Sequence, residues 1–286
     1  MHALPMLDGL TIVLMLLAAL LHASWHSLVK YGGDQRLVLA GMGFVATAIS
    51  VCALPFVPPL PAQVWPVMAV SVALHVGYKI ALARAYAVGE LGQAFPLARG
   101  FVPLFATVIA FVTLGQLPAG GQIAGIAIVS AGLLWLAAHS LRGGAHGSLV
   151  VAALAAGATV AGYTVLDAYG TRLAGDWLAF TAWLVVLDSL TYGGLVYAAK
   201  GNALWRELWR QRGRMLVAGV LGVLSFTVYL WALSRNAVGP VSALRESSVL
   251  FAALIGMALH REQVSAGKVA AACVITLGLV LVGALR

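Results

Sequence analysis

Apolar runs of about twenty residues, cut by short segments bearing charge, glycine or proline, recur from Leu10 to Arg286. A hydrocarbon core about 30 Å thick takes roughly 20 apolar residues per helical crossing. The runs predict helices near 10–31, 37–56, 64–87, 91–115, 119–139, 148–172, 177–198, 214–236, 240–260 and 266–285. Between them lie breakers such as Pro58-Pro59-Leu60-Pro61 and the stretch Gly143-Gly144-Ala145-His146-Gly147, which marks the centre of the chain. The expected fold is an all-α integral membrane protein of ten transmembrane helices, with no room for a soluble domain.

The pattern repeats. Tyr78 to Arg84 and Tyr229 to Arg235 share Y-x-x-A-L-x-R, 151 residues apart, and Ala-Val-Gly follows each. Arg99, Leu104-Phe105-Ala106, Gly121 and Gly132 return as Arg245, Leu250-Phe251-Ala252, Gly267 and Gly278, 146 residues on. Tyr31-Gly32 returns as Tyr169-Gly170. Alanine and leucine matches arise cheaply in such a chain, whereas ordered tyrosine, arginine and glycine matches do not. The halves are therefore read as 1–143 and 144–286. Five crossings per half make the second copy enter from the opposite side, so the repeats are inverted about an axis in the membrane plane. Two inverted halves that exchange conformations give alternating access to a central site, a transporter architecture.

Composition agrees with lipid as the solvent. Of 286 residues, 62% are hydrophobic and 9% charged, too little polar surface for a soluble globule. The net charge of +8 does not point to nucleic acid, because five of the 17 lysines and arginines crowd into 200–214, between apolar runs. That clustering sets orientation: the loops after the odd-numbered helices carry most of the basic residues and are read as cytoplasmic, both termini as external. Residues 10–30 are too long for a cleavable signal and have no basic residue before them. Cys52 and Cys273 lie in separate apolar runs and read as buried small hydrophobes. Frequent Arg and Ala with scarce Lys and Asn fit a bacterial source, and the expected location is the bacterial inner membrane.

Gln93-Ala-Phe-Pro-Leu-Ala-Arg-Gly-Phe-Val-Pro103 and Pro240-Val-Ser-Ala-Leu-Arg-Glu-Ser-Ser-Val-Leu-Phe-Ala-Ala-Leu-Ile-Gly256 are each followed by a re-entry segment, Leu114-Gly-Gln-Leu-Pro118 and His260-Arg-Glu-Gln-Val264. With these segments the chain resembles the ten-helix EamA-type exporters of the drug/metabolite transporter superfamily. The resemblance implies export of small polar metabolites. Departures are Gln116, where the family often has Glu, and Val249, where it often has Pro. The family is usually drawn with cytoplasmic termini, against the charge count here. Amino acids are the expected cargo, because both signs of charge and several aromatics sit at membrane depth; drugs and phosphorylated or nucleotide metabolites are the alternatives. An intramembrane enzyme would need a nucleophile or metal motif that the chain does not show. The expected partners are a small-molecule substrate and the bilayer, with no nucleic acid, in a monomer or weak dimer.

Ionisable groups at membrane depth usually face a water-filled cavity. Arg99 stands about eight residues into the fourth helix, roughly 12 Å deep at 1.5 Å per residue, and Arg245 holds the related place in the ninth. Pro103 also denies the Arg99 carbonyl its helical donor. Against a transport role stands a structural one, with Glu246 as the ready partner of its neighbour Arg245. On the third helix His75, Tyr78, Lys79 and Leu82 share a face by i, i+3, i+4 spacing. His22, Trp25 and His26 do so on the first, Thr159, Tyr163 and Asp167 on the sixth, Ser225 and Tyr229 on the eighth. Asp188 and Glu246 are candidates for a substrate ammonium or a coupling proton, and Ser242 joins the cavity set through its motif. His22 and His26 at i, i+4, with His75, have the spacing to chelate an ion. No carboxylate or thiolate is placed near them by the sequence, so neither metal nor cofactor is expected.

Overall fold

A computed structural model of the chain describes residues 7–141, 147–260 and 265–284. The central 143–146 stretch and most of the second re-entry segment, 261–264, lie outside them. Ten helices among the described residues are long and apolar enough to cross a membrane. In order they are α1 (Gly9–Lys30), α2 (Gln35–Ala53), α3 (Val64–Val88), a fourth span broken into α4 (Leu91–Arg99) and α5 (Val102–Leu114), and α6 (Gly120–Ser140). The second half brings α7 (Gly147–Leu173), α8 (Trp177–Lys200), α10 (Arg212–Arg235), a ninth span broken into α11 (Val238–Arg245) and α12 (Ser248–His260), and α13 (Ala266–Ala284). The basic 200–214 segment is more than a loop: it folds as α9 (Ala203–Arg210). Its Leu204 is buried while Trp205 and Trp209 are exposed beside Arg206 and Arg210, the residue set of an interfacial helix.

Local chemistry starts several of these helices. Asp8, Asp34 and Asp176 precede α1, α2 and α8, and each carboxylate accepts from a backbone N–H of the first turn, Asp8 from Thr11 at 2.6 Å and Asp176 from Ala179 at 2.8 Å. Such caps satisfy donors that the helix itself leaves open.

The two breaks correct the sequence reading, which treated the fourth and ninth spans as continuous. At Gly100–Phe101 the cause is covalent. Pro103 has no N–H for the Arg99 carbonyl. At Glu246–Ser247 no proline intervenes. The ladder tightens to i, i+3 bonds, Glu246 N–H to Ala243 O at 3.0 Å and Ser247 N–H to Leu244 O at 3.2 Å. The Ser247 hydroxyl also donates to Leu244 O at 2.7 Å, a side chain competing with the backbone for the same carbonyl.

The main interfaces read the same when spans one to five are exchanged for six to ten. α1 packs on α10 as α3 packs on α7, α2 on α10 as α3 on α8, and α2 meets α8 while α6 meets α13. The most extensive interface is α6 on α13. A β-carbon added at Gly278 would stand 2.7 Å from Val129 N and 2.8 Å from Gly125 O, so small residues are what let the backbones approach. The centre between the halves is where the buried polar residues collect.

Candidate functional site

The first-helix trio begins the site. His22, Trp25 and His26 are all buried. The Trp25 and His26 rings stack at 3.7 Å, and His22 Nε2 lies 3.0 Å from His26 Nε2. His26 Nδ1 meets the Tyr86 hydroxyl at 2.7 Å and its Nε2 meets the Tyr78 hydroxyl at 3.2 Å. Arg99 enters this network from the end of α4, its Nη2 donating to His22 Nε2 at 2.7 Å.

Glu246 reverses an expectation. It pairs with Arg99, Nη1 to Oε1 at 3.3 Å, and not with its neighbour Arg245. Successive residues on a helix point about 100° apart, so adjacency in sequence carries their side chains in different directions. Arg245 instead lies over Tyr229, its guanidinium carbon 3.8 Å from the ring centroid, a cation–π contact. Its remaining close contact is Nη2 to His22 Nδ1 at 3.5 Å, while Nε and Nη1 are buried with no hydrogen-bond partner. Each half thus sets a tyrosine beside its arginine: Tyr78 with Arg99, hydroxyl to Nη2 at 3.4 Å, and Tyr229 with Arg245. The difference between the two is the carboxylate.

The third-helix stripe faces inward as expected, and its histidine has the carboxylate that the sequence did not reveal. His75 Nε2 lies 3.0 Å from Asp167 Oδ2 on α7, while Ser71 donates to the other Asp167 oxygen. The Tyr163 ring stacks on His75 at 3.8 Å. Lys79 does not reach out along the helix to the interface; its Nζ meets Asp188 Oδ2 on α8 at 2.5 Å and lies over the Tyr192 ring. Leu82 is buried on the same face.

Part of this network lines a cavity of about 100 Å³: His22, Trp25, His75, Tyr163, Asp188 and Arg245 are in its wall, with Tyr78 and Lys79, whereas His26, Arg99, Tyr229 and Glu246 are not. At 1.5 Å per residue, His22, Ala46, His75, Tyr78, Lys79 and Asp188 stand roughly 12–20 Å from the helix ends nearest the basic segment, close to the middle of a bilayer. A larger cavity of about 270 Å³ between α4, α6, α12 and α13 has apolar walls, with Lys268 as its charged residue. It lacks convergent polar groups, so the smaller cavity is the chemical one. A third depression, of about 410 Å³, lies between α2, α3 and α8 with Arg36, Arg84 and Lys200 around it. Tyr192 is common to that depression and to the Lys79–Asp188 neighbourhood.

Not every candidate reaches the cavity. Ser242 is 1% exposed, absent from the wall, and its hydroxyl has no partner. Thr159 spends its hydroxyl on its own helix, 2.8 Å from Ala156 O, and Ser225 ties α10 to α1 through Ala18 O at 2.8 Å. Gln116, the departure noted in the sequence, caps the broken ninth span: its side-chain oxygen accepts from Val238 N–H at 3.1 Å. Ser71, Tyr86 and Phe226 were not singled out by sequence. Ser71 and Tyr86 extend the 75–78–79–82 stripe by one turn at each end, which is the signal that would have found them.

Ten membrane-length helices packed around a buried, charge-bearing chamber define a multi-pass membrane protein. Residues 147–284 match the EamA-like transporter family. That match and the ten apolar helices support an EamA-type protein of the drug/metabolite transporter superfamily, a membrane transporter of a small substrate. A protein of known crystal structure is similar in fold, with a TM-score of 0.70 at 16% identity over 96% of this chain and 97% of its own. Comparison with curated proteins gives no match.

Proposed function

We propose that the central cavity binds a small zwitterionic metabolite, an amino acid being the best fit, and that two inverted halves, 1–143 and 144–286, expose it alternately to the two sides for export across a bacterial inner membrane. The observation that carries this reading is a charge imbalance. Among the described residues, Arg99 faces Glu246, Lys79 faces Asp188 and His75 faces Asp167, while Arg245 has no carboxylate within ion-pair distance. A buried guanidinium with free N–H groups is costly unless an anion completes it. A substrate carboxylate offsets that cost through paired hydrogen bonds that a lysine cannot reproduce in the same geometry.

Size argues for a small cargo. The cavity of about 100 Å³ is well below the roughly 300–1,000 Å³ of pockets that hold drug-sized ligands. The matching interfaces between halves, with a tyrosine–arginine unit and a broken helix in each, support exchange of two pseudo-symmetric conformations. Half-helices ending near the bilayer midplane are a recurrent way to bind charged substrates. The basic depression beyond Tyr192 offers an approach route that draws in carboxylates.

Counterflow of radiolabelled L-amino acids in proteoliposomes tests the assignment. Wild type should exchange a subset of them saturably. Arg245→Gln should raise the half-saturating concentration by about 10-fold or more, the loss expected for one charged hydrogen-bonded contact, with Arg245→Lys only partly restoring it. Exchange by Arg245→Gln with unchanged apparent affinity would remove Arg245 from the site.

A further inference from the structure

We infer that the basic depression between α2, α3 and α8 is a binding site for an anionic phospholipid, with the headgroup phosphate held by Arg36 and Arg84. The cations come from three helix ends on one side of the protein: Arg36 in the first turn of α2, Arg84 one turn before the end of α3, and Lys200 at the end of α8. Lys200 is already paired, its Nζ 2.5 Å from Asp34 Oδ2. Arg36 and Arg84 are exposed, and their guanidinium groups make no hydrogen bond or ion pair among the described residues. No carboxylate lines the depression among those residues, so two of its three positive charges are open to an outside anion. Guanidinium forks match phosphate oxygens through paired hydrogen bonds, and basic pockets between membrane spans hold anionic headgroups.

The rest of the wall makes the anion a lipid and not a soluble phosphate. On α3, Ile80 and Arg84 share a face by i, i+4 spacing, and on α8 Leu195, Ala199 and Lys200 share one by the same rule. Both stripes run from apolar, toward the membrane interior, to cationic at the helix end, over about 6–8 Å at 1.5 Å per residue. Ile80 and Leu195 are exposed. An acyl chain laid along them covers apolar surface and brings its phosphate level with the two arginines, whereas a free phosphate gains nothing from that part of the wall. The level is that of the headgroups, because α9 follows Lys200 with Trp205 and Trp209 exposed among arginines. At the inner end Tyr192 is buried beneath Lys79, which Asp188 holds, so the groove stops short of the central cavity. The lipid site rests on neither the cargo nor the approach route proposed above.

Native mass spectrometry of the full chain in detergent counts bound lipids one at a time. The probes are dioleoyl phosphatidylglycerol and phosphatidylcholine with the same chains. Wild type should hold its tightest phosphatidylglycerol about 10-fold or more above phosphatidylcholine. Arg36→Gln with Arg84→Gln should weaken phosphatidylglycerol by about 10-fold or more and leave phosphatidylcholine unchanged. A control with Arg206→Gln and Arg210→Gln, which stand on α9 outside the depression, should keep the wild-type preference. Equal binding of the two lipids by wild type, an unchanged phosphatidylglycerol affinity in the Arg36, Arg84 variant, or the same loss in the α9 control overturns the site. Displacement of the lipid by inorganic phosphate at the lipid's own concentration overturns the lipid assignment in favour of a free phosphate. If the double variant does not fold, Arg84→Gln alone decides: a loss of about 3-fold or more supports the site, and an unchanged affinity overturns it.

Discussion

Arg99 and Arg245 hold corresponding places 146 residues apart, each at the end of a half-helix and each beside a tyrosine. Their roles diverge because Arg99 has a counter-charge within ion-pair distance, Glu246, and Arg245 has none among the described residues. Arg99 is 1% exposed and bonds Glu246, His22 and Tyr78. Removing one member leaves the other charged and buried without its counter-charge. Glu246→Gln should therefore cost about 3–5 kcal/mol of stability, and the Arg99→Gln, Glu246→Gln double variant should cost clearly less than the sum of the singles. Unfolding in detergent, followed by tryptophan fluorescence, measures both; strict additivity would show that the two do not interact. The sequence made Arg99, Arg245 and Glu246 visible as costly charges at depth. It did not reveal the pairing, because contact between α4 and the α11–α12 junction is set by tertiary packing and not by spacing along the chain. The partnership of His75 with Asp167 was hidden for the same reason, although both residues stood out on their own helices.

Hydropathy made the helices legible, since lipid leaves each apolar run of sufficient length no alternative to an internally bonded helix. Breaks within helices were only half legible. Pro103 announced the first through its missing N–H, while the second rests on Ser247 and on turn bonds that have no compositional mark. Glycine spacing carried a further message: Gly132 and Gly278 match in the repeat, and in the fold both lie where α6 meets α13. Backbone atoms surround the β-carbon position of Gly278, whereas nothing lies within 4 Å of that of Gly194. Gly278→Val should lower the melting temperature by the equivalent of at least about 1–3 kcal/mol, and Gly194→Val should change it little. Equal effects of the two would mean that α6 and α13 do not depend on close backbone approach.

At the scale of the whole molecule, a chain of 286 residues holds a small charged chamber among ten membrane-length helices. Hydropathy and composition were enough to predict those spans, while the pairing of the buried charges emerged only once they were packed. The central claim is that this chamber opens to both sides of the membrane in turn. Ala46 lies in its wall on α2 and contributes no polar contact, which makes it a suitable reporter. Cys52 and Cys273, read from the sequence as buried, are exposed thiols on the outer faces of α2 and α13, so the background replaces both with serine. The decisive measurement is labelling of Ala46→Cys by a membrane-impermeant thiol reagent in right-side-out and inside-out vesicles. Alternating access predicts labelling from both faces, slowed from both by saturating transported amino acid. Labelling from one face alone, or a rate that substrate does not change, would contradict it.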